Sequence, residues 1–194
     1  MFQAIRLTLI LWLLTAIIYP LVILTVGQFV FPNEANGSIM QNVQGEQIGS
    51  ALIGQQFTSD RYFRSRPSTI EYSQGKDAQK TGISGASNLA PGNPALIKRI
   101  SEEITRLKDE GIQPSADLVY ASGSGLDPHI SVKAAREQLE RVARARDLRA
   151  DEVLPFINRF TEGKFLGIFG EPGVNVLKLN YALDLDEFNR QQTR

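Results

Sequence analysis

The sequence contains no cysteine and a single histidine, His129, among 194 residues. Without cysteine, disulfides and thiol chemistry are excluded, although a domain outside the cytoplasm can fold without disulfides. One imidazole cannot supply the clustered His and Cys ligands of a transition-metal site, so no metal site is expected. Three carboxylates near the C-terminus, Asp184, Asp186 and Glu187, are interpreted as a solvated charged run rather than a cation site.

A surplus of either charge is also missing, because 21 basic residues balance 21 acidic ones. Nucleic-acid-binding domains carry a clustered basic surplus, and this chain has none. Nucleic acid is therefore not expected as a partner.

Charge is almost absent from the first 33 residues, where Arg6 is the only charged side chain. As a helix, the run from Leu7 to Asn33 spans about 40 Å, against a hydrocarbon core of about 30 Å. The alternative is a cleaved signal peptide, which has an apolar region of roughly 7–15 residues and a small-residue cleavage site. The present run is much longer and has no such site, so the sequence predicts a retained transmembrane helix.

Basic residues flank the cytoplasmic end of a membrane span more often than the outer end. Arg6 precedes the span, whereas no Lys or Arg follows it until Arg61. The chain is therefore predicted to cross the bilayer once, with residues 1–33 forming a cytoplasmic N-terminus and transmembrane helix. Residues 34–194 are predicted to form a single extracytoplasmic domain, which is long enough to bury a core.

The soluble part mixes helical and strand patterns, which indicates an α/β or α+β class. Strands are predicted over 48–57, 116–121 and 174–183, and helices from 94 to the breaker Gly111, from 132 onward and over 151–160. Asn93 and Ser131 are predicted helix caps. Pro155 argues for a break in the last helix. A long loop runs from Tyr72 to Pro94.

A polar turn follows the second predicted strand, with the sequence Ser122-Gly123-Ser124-Gly125-Leu126-Asp127-Pro128-His129. It contains every residue type of a Ser-His-Asp triad, but triad members normally come from separate elements, and no nucleophile elbow is present. We interpret it as a structural strand-to-helix turn. A membrane-anchored extracytoplasmic hydrolase or binding module using Ser122, Ser124, Asp127 and His129 is the alternative. The glycine-rich backbone before a helix could also bind an anion.

Aromatic and arginine side chains combine in the segment Tyr62-Phe63-Arg64-Ser65-Arg66. Such residues often anchor protein interfaces, which makes Tyr62, Phe63 and Arg66 interface candidates. The alternative is an arginine pair covering a local core. The sequence leaves both interpretations open.

Six motifs occur in a fixed order along the chain: residues 49–55 (GSALIGQ), Tyr62-Phe63 with Arg66-Pro67-Ser68, residues 84–89 (SGASNL), residues 116–119 (ADLV), residues 121–131 (ASGSGLDPHIS), and the segment GEPGVNVL over 170–177. Together with one N-terminal membrane helix, this set closely resembles the C subunit of Kdp-type potassium-transporting ATPases over nearly the whole chain.

The resemblance implies a non-catalytic accessory subunit of a bacterial plasma (inner) membrane complex that hydrolyses ATP to take up potassium. It implies three protein partners: a channel-like potassium-binding subunit, a P-type ATPase catalytic subunit and a small single-helix subunit. The family is described as a catalytic chaperone that raises the affinity of the ATPase subunit for ATP. No firmly bound cofactor is implied for this chain, because ATP would be reached only through the ATPase subunit and K⁺ is the transported ion.

The stretch Ser84-Gly85-Ala86-Ser87-Asn88 has been likened to the signature loop of ABC transporters, which implies nucleotide-related roles for Ser84, Gly85, Ser87 and Asn88. This chain departs from the family pattern at Ala86, where glycine is usual, and also at Phe160 and Gly173. The predicted topology separates the domain from cytoplasmic ATP. We therefore expect it to pack on the outer face of the channel-like subunit.

Overall fold

The computed structural model describes residues 1–70 and 84–193. Most of the predicted loop from Tyr72 to Pro94 falls between these ranges and lies outside the described residues. The first part of the chain is a long helix, and the rest is a mixed helix and sheet domain.

The N-terminal helix comprises α1 (Phe2–Leu13), a π-helical turn (Leu14–Ile18) and α2 (Tyr19–Val30). Its 29 residues span about 43 Å, and none of them packs inside the domain. The hydroxyls of Thr15 and Thr25 donate to carbonyls one turn back, at 2.8 and 2.7 Å, so they leave no polar group unpaired in an apolar surrounding. The helix is long and apolar enough to cross a membrane, as the sequence predicted.

The remaining elements are short. They are α3 (Pro32–Ala35), β1 (Ile39–Gln41), β2 (Gln47–Ser50), α4 (Pro94–Asp109), α5 (Ala116–Val119), β3 (His129–Ser131), α6 (Val132–Ala145), α7 (Ala150–Arg159), β4 (Thr161–Glu162), β5 (Gly173–Asn175) and α8 (Val176–Gln192).

The strands form two small antiparallel sheets. β1 pairs with β2, and β5 lies between β3 and β4 in the order β3-β5-β4. Val174 at the centre of the second sheet stands opposite Ile130 on one side and Thr161 on the other. Helices α6 and α8 pack against this sheet and α7 packs against both helices, so the core lies between the helices and β5.

Several local predictions are confirmed by the helix termini. The side chain of Asn93 accepts from the Ala95 amide at 2.9 Å, and that of Ser131 accepts from the Ala134 amide at 3.2 Å. Gly111 follows α4 with a left-handed φ of 74°, which glycine adopts without steric cost. The expected break at Pro155 is absent, because α7 continues through it.

Two predicted strands are wrong. Residues 116–119 form the short helix α5, whose first turn closes on the Ser115 carbonyl. Residues 176–183 belong to α8, and only 173–175 pair as a strand. The buried positions of that segment include 176, 179, 180 and 183, which share one helical face. Apolar residues also occur at every second position of the same segment, as in a strand. Periodicity alone therefore could not distinguish a strand from a helix. The predicted strand over 48–57 ends earlier, at Ser50.

An extended segment without regular secondary structure crosses the core between α6 and α8. Its residue Phe63 is fully buried. The Phe63 N–H donates to Asn180 Oδ1 at 2.8 Å, and the Phe63 carbonyl accepts from Asn180 Nδ2 at 2.9 Å. The next residue, Arg64, pairs in the same way with the Gln138 side chain, at 2.8 and 3.1 Å. Gln138 and Asn180 are 0 % and 1 % exposed. These two amides therefore replace the neighbouring strand that buried backbone groups otherwise require.

The amide pairing leads to a stability prediction for Asn180→Leu. The leucine would fill a similar volume but leave the Phe63 N–H and carbonyl unpaired in the core, where each orphaned group costs about 1–3 kcal/mol. We expect the free energy of unfolding of the full chain in detergent to fall by about 3 kcal/mol, measured by urea titration with circular dichroism. The matched control Asn189→Leu changes an exposed asparagine of the same helix. An equal loss in both variants would contradict the proposed role of Asn180.

Candidate functional site: a polar junction of three loops

Three loop segments that are distant in sequence meet beside β3. They are residues 66–68, 84–88 and 122–129, and we call their meeting point the polar junction. The Ser122 amide donates to the Pro67 carbonyl at 2.8 Å, which joins the first and third segments. The Gly85 amide donates to the Ser124 carbonyl at 2.9 Å, which joins the second and third. The structure therefore brings together the Ser84–Asn88 stretch and the turn over residues 122–129, which are far apart in the sequence.

Side-chain hydroxyls reinforce these contacts. Ser84 donates to the Ser124 carbonyl at 3.0 Å, and Ser68 donates to the Gly125 carbonyl at 3.1 Å. Ser87 is partly buried, and Asn88 has a left-handed φ of 50°. Among the four residues with implied nucleotide roles, Ser84 and Gly85 are thus used to hold the junction closed.

Only glycine fits at position 125, because the loops that hold Ser68 and Gly85 approach it closely. Gly125 has φ 70°, and a Cβ atom at this position would lie 2.8 Å from the Gly85 carbonyl oxygen and 2.9 Å from the Ser68 hydroxyl. A side chain there would be strained in conformation and would push the loops apart. Gly123, two residues earlier, has open space at the same position.

The turn over residues 122–129 pairs several of its own backbone N–H groups. Three of its N–H groups bind side chains of the turn itself: Gly125 binds Ser122 (3.2 Å), Leu126 binds Ser124 (3.1 Å) and His129 binds Asp127 (3.0 Å). A bound phosphate would need such N–H groups free and pointing at the ligand. The observed bonds favour the structural interpretation of this turn over an anion site.

His129 lies between two carboxylates. Its Nε2 is 3.0 Å from Glu162 and its Nδ1 is 3.5 Å from Asp127. Hydrogen bonding to Asp127, opposed by partial burial and supported by Glu162, raises the pKa of His129 above its usual value. The bond from His129 in turn holds the pKa of Asp127 below its ordinary value. Both nitrogens of the imidazole therefore face acidic groups.

The triad alternative is not supported by this arrangement. A hydrolase needs the imidazole in contact with the nucleophilic hydroxyl. Here the Ser122 and Ser124 hydroxyls lie 3.4 Å from each other, and His129 contacts Asp127 and Glu162 instead. Within residues 1–70 and 84–193, the structure shows no hydrogen bond between a serine and His129.

The interface candidates make contacts within the domain. Phe63 is fully buried, and its ring belongs to the core because its backbone is held between α6 and α8. Arg66 contacts Asp127 at 3.3 Å and Asp117 at 3.9 Å. The hydroxyl of Tyr62 donates to Asp184 at 3.1 Å. These contacts favour the alternative in which arginines cover a local core.

Sequence reasoning missed Arg146, whose side chain is 1 % exposed. Its guanidinium binds Asp184 at 2.7 Å and Glu187 at 3.2 Å, and also donates to the Arg61 carbonyl at 2.7 Å. Two of the three C-terminal carboxylates are thus partners of a buried cation, while their own side chains remain 44 % and 36 % exposed. Arg146 directly follows α6, a helix with many exposed charged residues, so no pattern in the sequence marked this arginine as buried.

A cavity of about 400 Å³ adjoins the junction and is lined in part by Arg64, Arg66 and Arg106. A cluster of arginines could attract an anion. Each of these cations already has carboxylate partners: Arg64 binds Glu110, and Arg106 binds both Glu103 and Glu110. The charges therefore stabilise the cavity wall rather than leaving a basic site open.

The fold and the junction together define a class of protein: a domain whose loops are joined by polar contacts, attached to one helix that is long and apolar enough to cross a membrane. Comparison with known proteins agrees with this class. A family model for KdpC, described as the c chain of the K⁺-transporting ATPase, matches residues 1–185.

Curated relatives are similar along nearly their full length. A KdpC subunit 2 of a potassium-transporting ATPase from Nostoc sp. is 70 % identical over 190 residues, covering 98 % of this chain and 96 % of the relative. A KdpC subunit from Anabaena sp. is 66 % identical over 192 residues, covering 99 % and 96 %. One from Synechocystis sp. is 61 % identical over 181 residues, covering 93 % and 95 %. The chain belongs to the KdpC family, which confirms the resemblance found in its motifs.

The close approach at Gly125 predicts a strong effect of Gly125→Ala. Both the left-handed φ and the contact with the Gly85 carbonyl oppose a methyl group, so the free energy of unfolding is expected to fall by at least about 2 kcal/mol. Urea unfolding of the full chain in detergent measures the change. Gly123→Ala is the matched control, and a shift within about 0.5 kcal/mol is expected there. Equal effects at both glycines would contradict the packing argument.

The acidic surroundings of His129 predict a raised titration midpoint. Because His129 is the only histidine, its ring protons give one nuclear magnetic resonance titration curve, expected to be centred above the reference pKa of about 6.5. Stability gained from the charged imidazole is therefore full below about pH 6.5 and is lost as pH rises through the higher folded-state pKa. Asp127→Asn should lower the midpoint. A wild-type midpoint at or below the reference value would contradict the assignment.

Proposed function

We propose that this chain works as the accessory subunit of a Kdp-type potassium-transporting ATPase, contributing to assembly and stability rather than catalysing ATP hydrolysis. The observation that carries the proposal is the 70 % identity to a potassium-transporting ATPase KdpC subunit over 98 % of the chain. The fold fits this role, since an exposed apolar helix of 29 residues is joined to a domain with a buried core.

Its partners in this proposal are the channel-like potassium-binding subunit, the P-type ATPase catalytic subunit and the small single-helix subunit. The helix formed by α1 and α2 contacts the other membrane subunits within the bacterial plasma membrane. The domain lies outside the cytoplasm, as the single basic residue before the span favours. There it packs on the outer face of the channel-like subunit, beside the entry route for potassium.

In this proposal, the chain affects ATP binding by the ATPase subunit without contacting ATP itself. Ser84 and Gly85 are bound to the Ser124 carbonyl within the polar junction, which supports a structural role for this loop. Any change in the affinity of the ATPase subunit for ATP is then transmitted through the membrane helix and through assembly of the complex. No ATP contact by this chain is required.

One labelling and purification experiment tests both assembly and topology. The chain has no native cysteine, so Ser101→Cys on the exposed face of α4 and Gln3→Cys at the other end of the span each provide a unique thiol. Intact cells expressing the whole complex are treated with a membrane-impermeant maleimide, and the tagged chain is then purified. We expect a P-type ATPase to co-purify with both variants, and the label to be present only on Ser101→Cys.

The two parts of the proposal fail separately. Label on Gln3→Cys alone would overturn the topology while leaving assembly intact. Recovery of the chain from membranes without a P-type ATPase would overturn the assignment as a subunit, whichever thiol reacted.

A further inference from the structure

The hairpin between β4 and β5 ends in a strongly apolar loop. Residues 165–169, which we call the apolar tip, read Phe-Leu-Gly-Ile-Phe. Phe165, Leu166, Ile168 and Phe169 are 70 %, 75 %, 74 % and 62 % exposed. Isolated exposed apolar residues are ordinary, but a contiguous group of large ones marks a contact surface.

The backbone of the apolar tip is closed on itself. Phe165 and Phe169 exchange two backbone hydrogen bonds, at 2.8 and 3.0 Å. The Gly167 amide donates to the Lys164 carbonyl at 3.0 Å, and the Ile168 amide donates to the Phe165 carbonyl at 3.2 Å. Backbone groups that enter hydrocarbon must find partners within the protein, because lipid offers none. Four of the five N–H groups of the tip therefore have partners within the loop, which lowers the cost of moving the tip into a less polar medium.

The conformation of the tip holds apolar side chains outward. Leu166 has φ 52°, a left-handed value that branched apolar residues rarely adopt, and Gly167 and Gly170 have φ 74° and 83°. Strain of this kind persists where the surrounding structure or a function maintains it. The strained conformation of Leu166 does not bury its side chain, which remains 75 % exposed. The strain therefore keeps this leucine at the surface.

We propose that the apolar tip inserts into the interfacial layer of the membrane that α1 and α2 cross, and so holds the domain against the bilayer. The four side chains expose roughly 500 Å², less than the about 800 Å² that each partner contributes to a standard protein interface. Insertion to the boundary of headgroups and acyl chains needs no shape complementarity and no polar rim. Within the tip itself no polar side chain is present.

The positive charge of Lys164, at the base of the loop, is suited to contact with lipid headgroups. Lys164 immediately precedes the tip and is 40 % exposed, with Glu171 at 3.5 Å. A lysine at this height can approach headgroup phosphates while the tip enters the apolar layer.

The tip can reach the membrane because the domain is tied closely to the helix. The hairpin base is bound to the segment that follows the span: the Asn175 side chain donates to the Ala51 carbonyl at 2.8 Å, and the Ala51 amide donates to the Ser38 carbonyl at 3.0 Å. The chain between Val30 and Ser38 covers at most roughly 28 Å when fully extended. A domain tethered this closely lies beside the bilayer.

This inference rests on the proposed membrane anchorage but not on the identity of the partners or the side of the membrane. It is tested with Leu166→Cys carrying an environment-sensitive NBD fluorophore, in the complex as purified and reconstituted into phosphatidylcholine–phosphatidylglycerol vesicles. Emission is measured with aqueous iodide and with lipids that carry a spin label near the headgroup. NBD on Ser101→Cys is the matched control, and flotation of the vesicles verifies that the protein is anchored.

We expect the emission of NBD at position 166 to shift to the blue, to resist iodide and to lose at least half its intensity to the spin-labelled lipid. The control at position 101 should remain sensitive to iodide and insensitive to the spin-labelled lipid. Protection from iodide without quenching by the lipid would place the tip against a protein and overturn the inference. Sensitivity to iodide at position 166 in floated vesicles would overturn it as well, without bearing on assembly of the complex.

Discussion

The pairing of one extended segment with two buried side-chain amides is the constraint on which the domain depends. Phe63 and Arg64 cross the core without a neighbouring strand, and Asn180 and Gln138 supply the missing donors and acceptors. A buried backbone without partners would cost more than its burial gains. Because Gln138 belongs to α6 and Asn180 to α8, the same four residues fix the spacing of the two main helices and place the Phe63 ring between them.

The residues on either side of Phe63 and Arg64 connect this segment to polar groups nearer the surface. On one side, Arg146 binds the Arg61 carbonyl and two carboxylates of α8, so a buried cation is compensated by direct partners. On the other side, Arg66 contacts Asp127, and the Pro67 carbonyl accepts from Ser122. The polar junction is therefore built on the same segment that fills the core, and its serines and glycines make contacts that join the loops.

This organisation suits a member of the KdpC family that acts through contact. Among the described residues, the helix of α1 and α2 and the apolar tip of residues 165–169 are runs of consecutive large apolar side chains that stay exposed. Both favour an apolar medium over water. In the proposed function, the helix joins the membrane subunits and the tip fixes the height and tilt of the domain beside them.

The sequence by itself determined the features that depend on neighbouring residues. An uncharged run predicted the N-terminal helix, Asn93 and Ser131 predicted their helix starts, and ordered motifs predicted the family. Only the tertiary structure decided whether residues 176–183 form a strand or a helix, because their apolar pattern fits both periods and the partner surface selects one. Likewise, only folding showed that Ser84 and Gly85 meet Ser124, and that Phe63 is buried rather than exposed. Burial and long-range pairing are properties of segments brought together by the fold, so no local pattern encodes them.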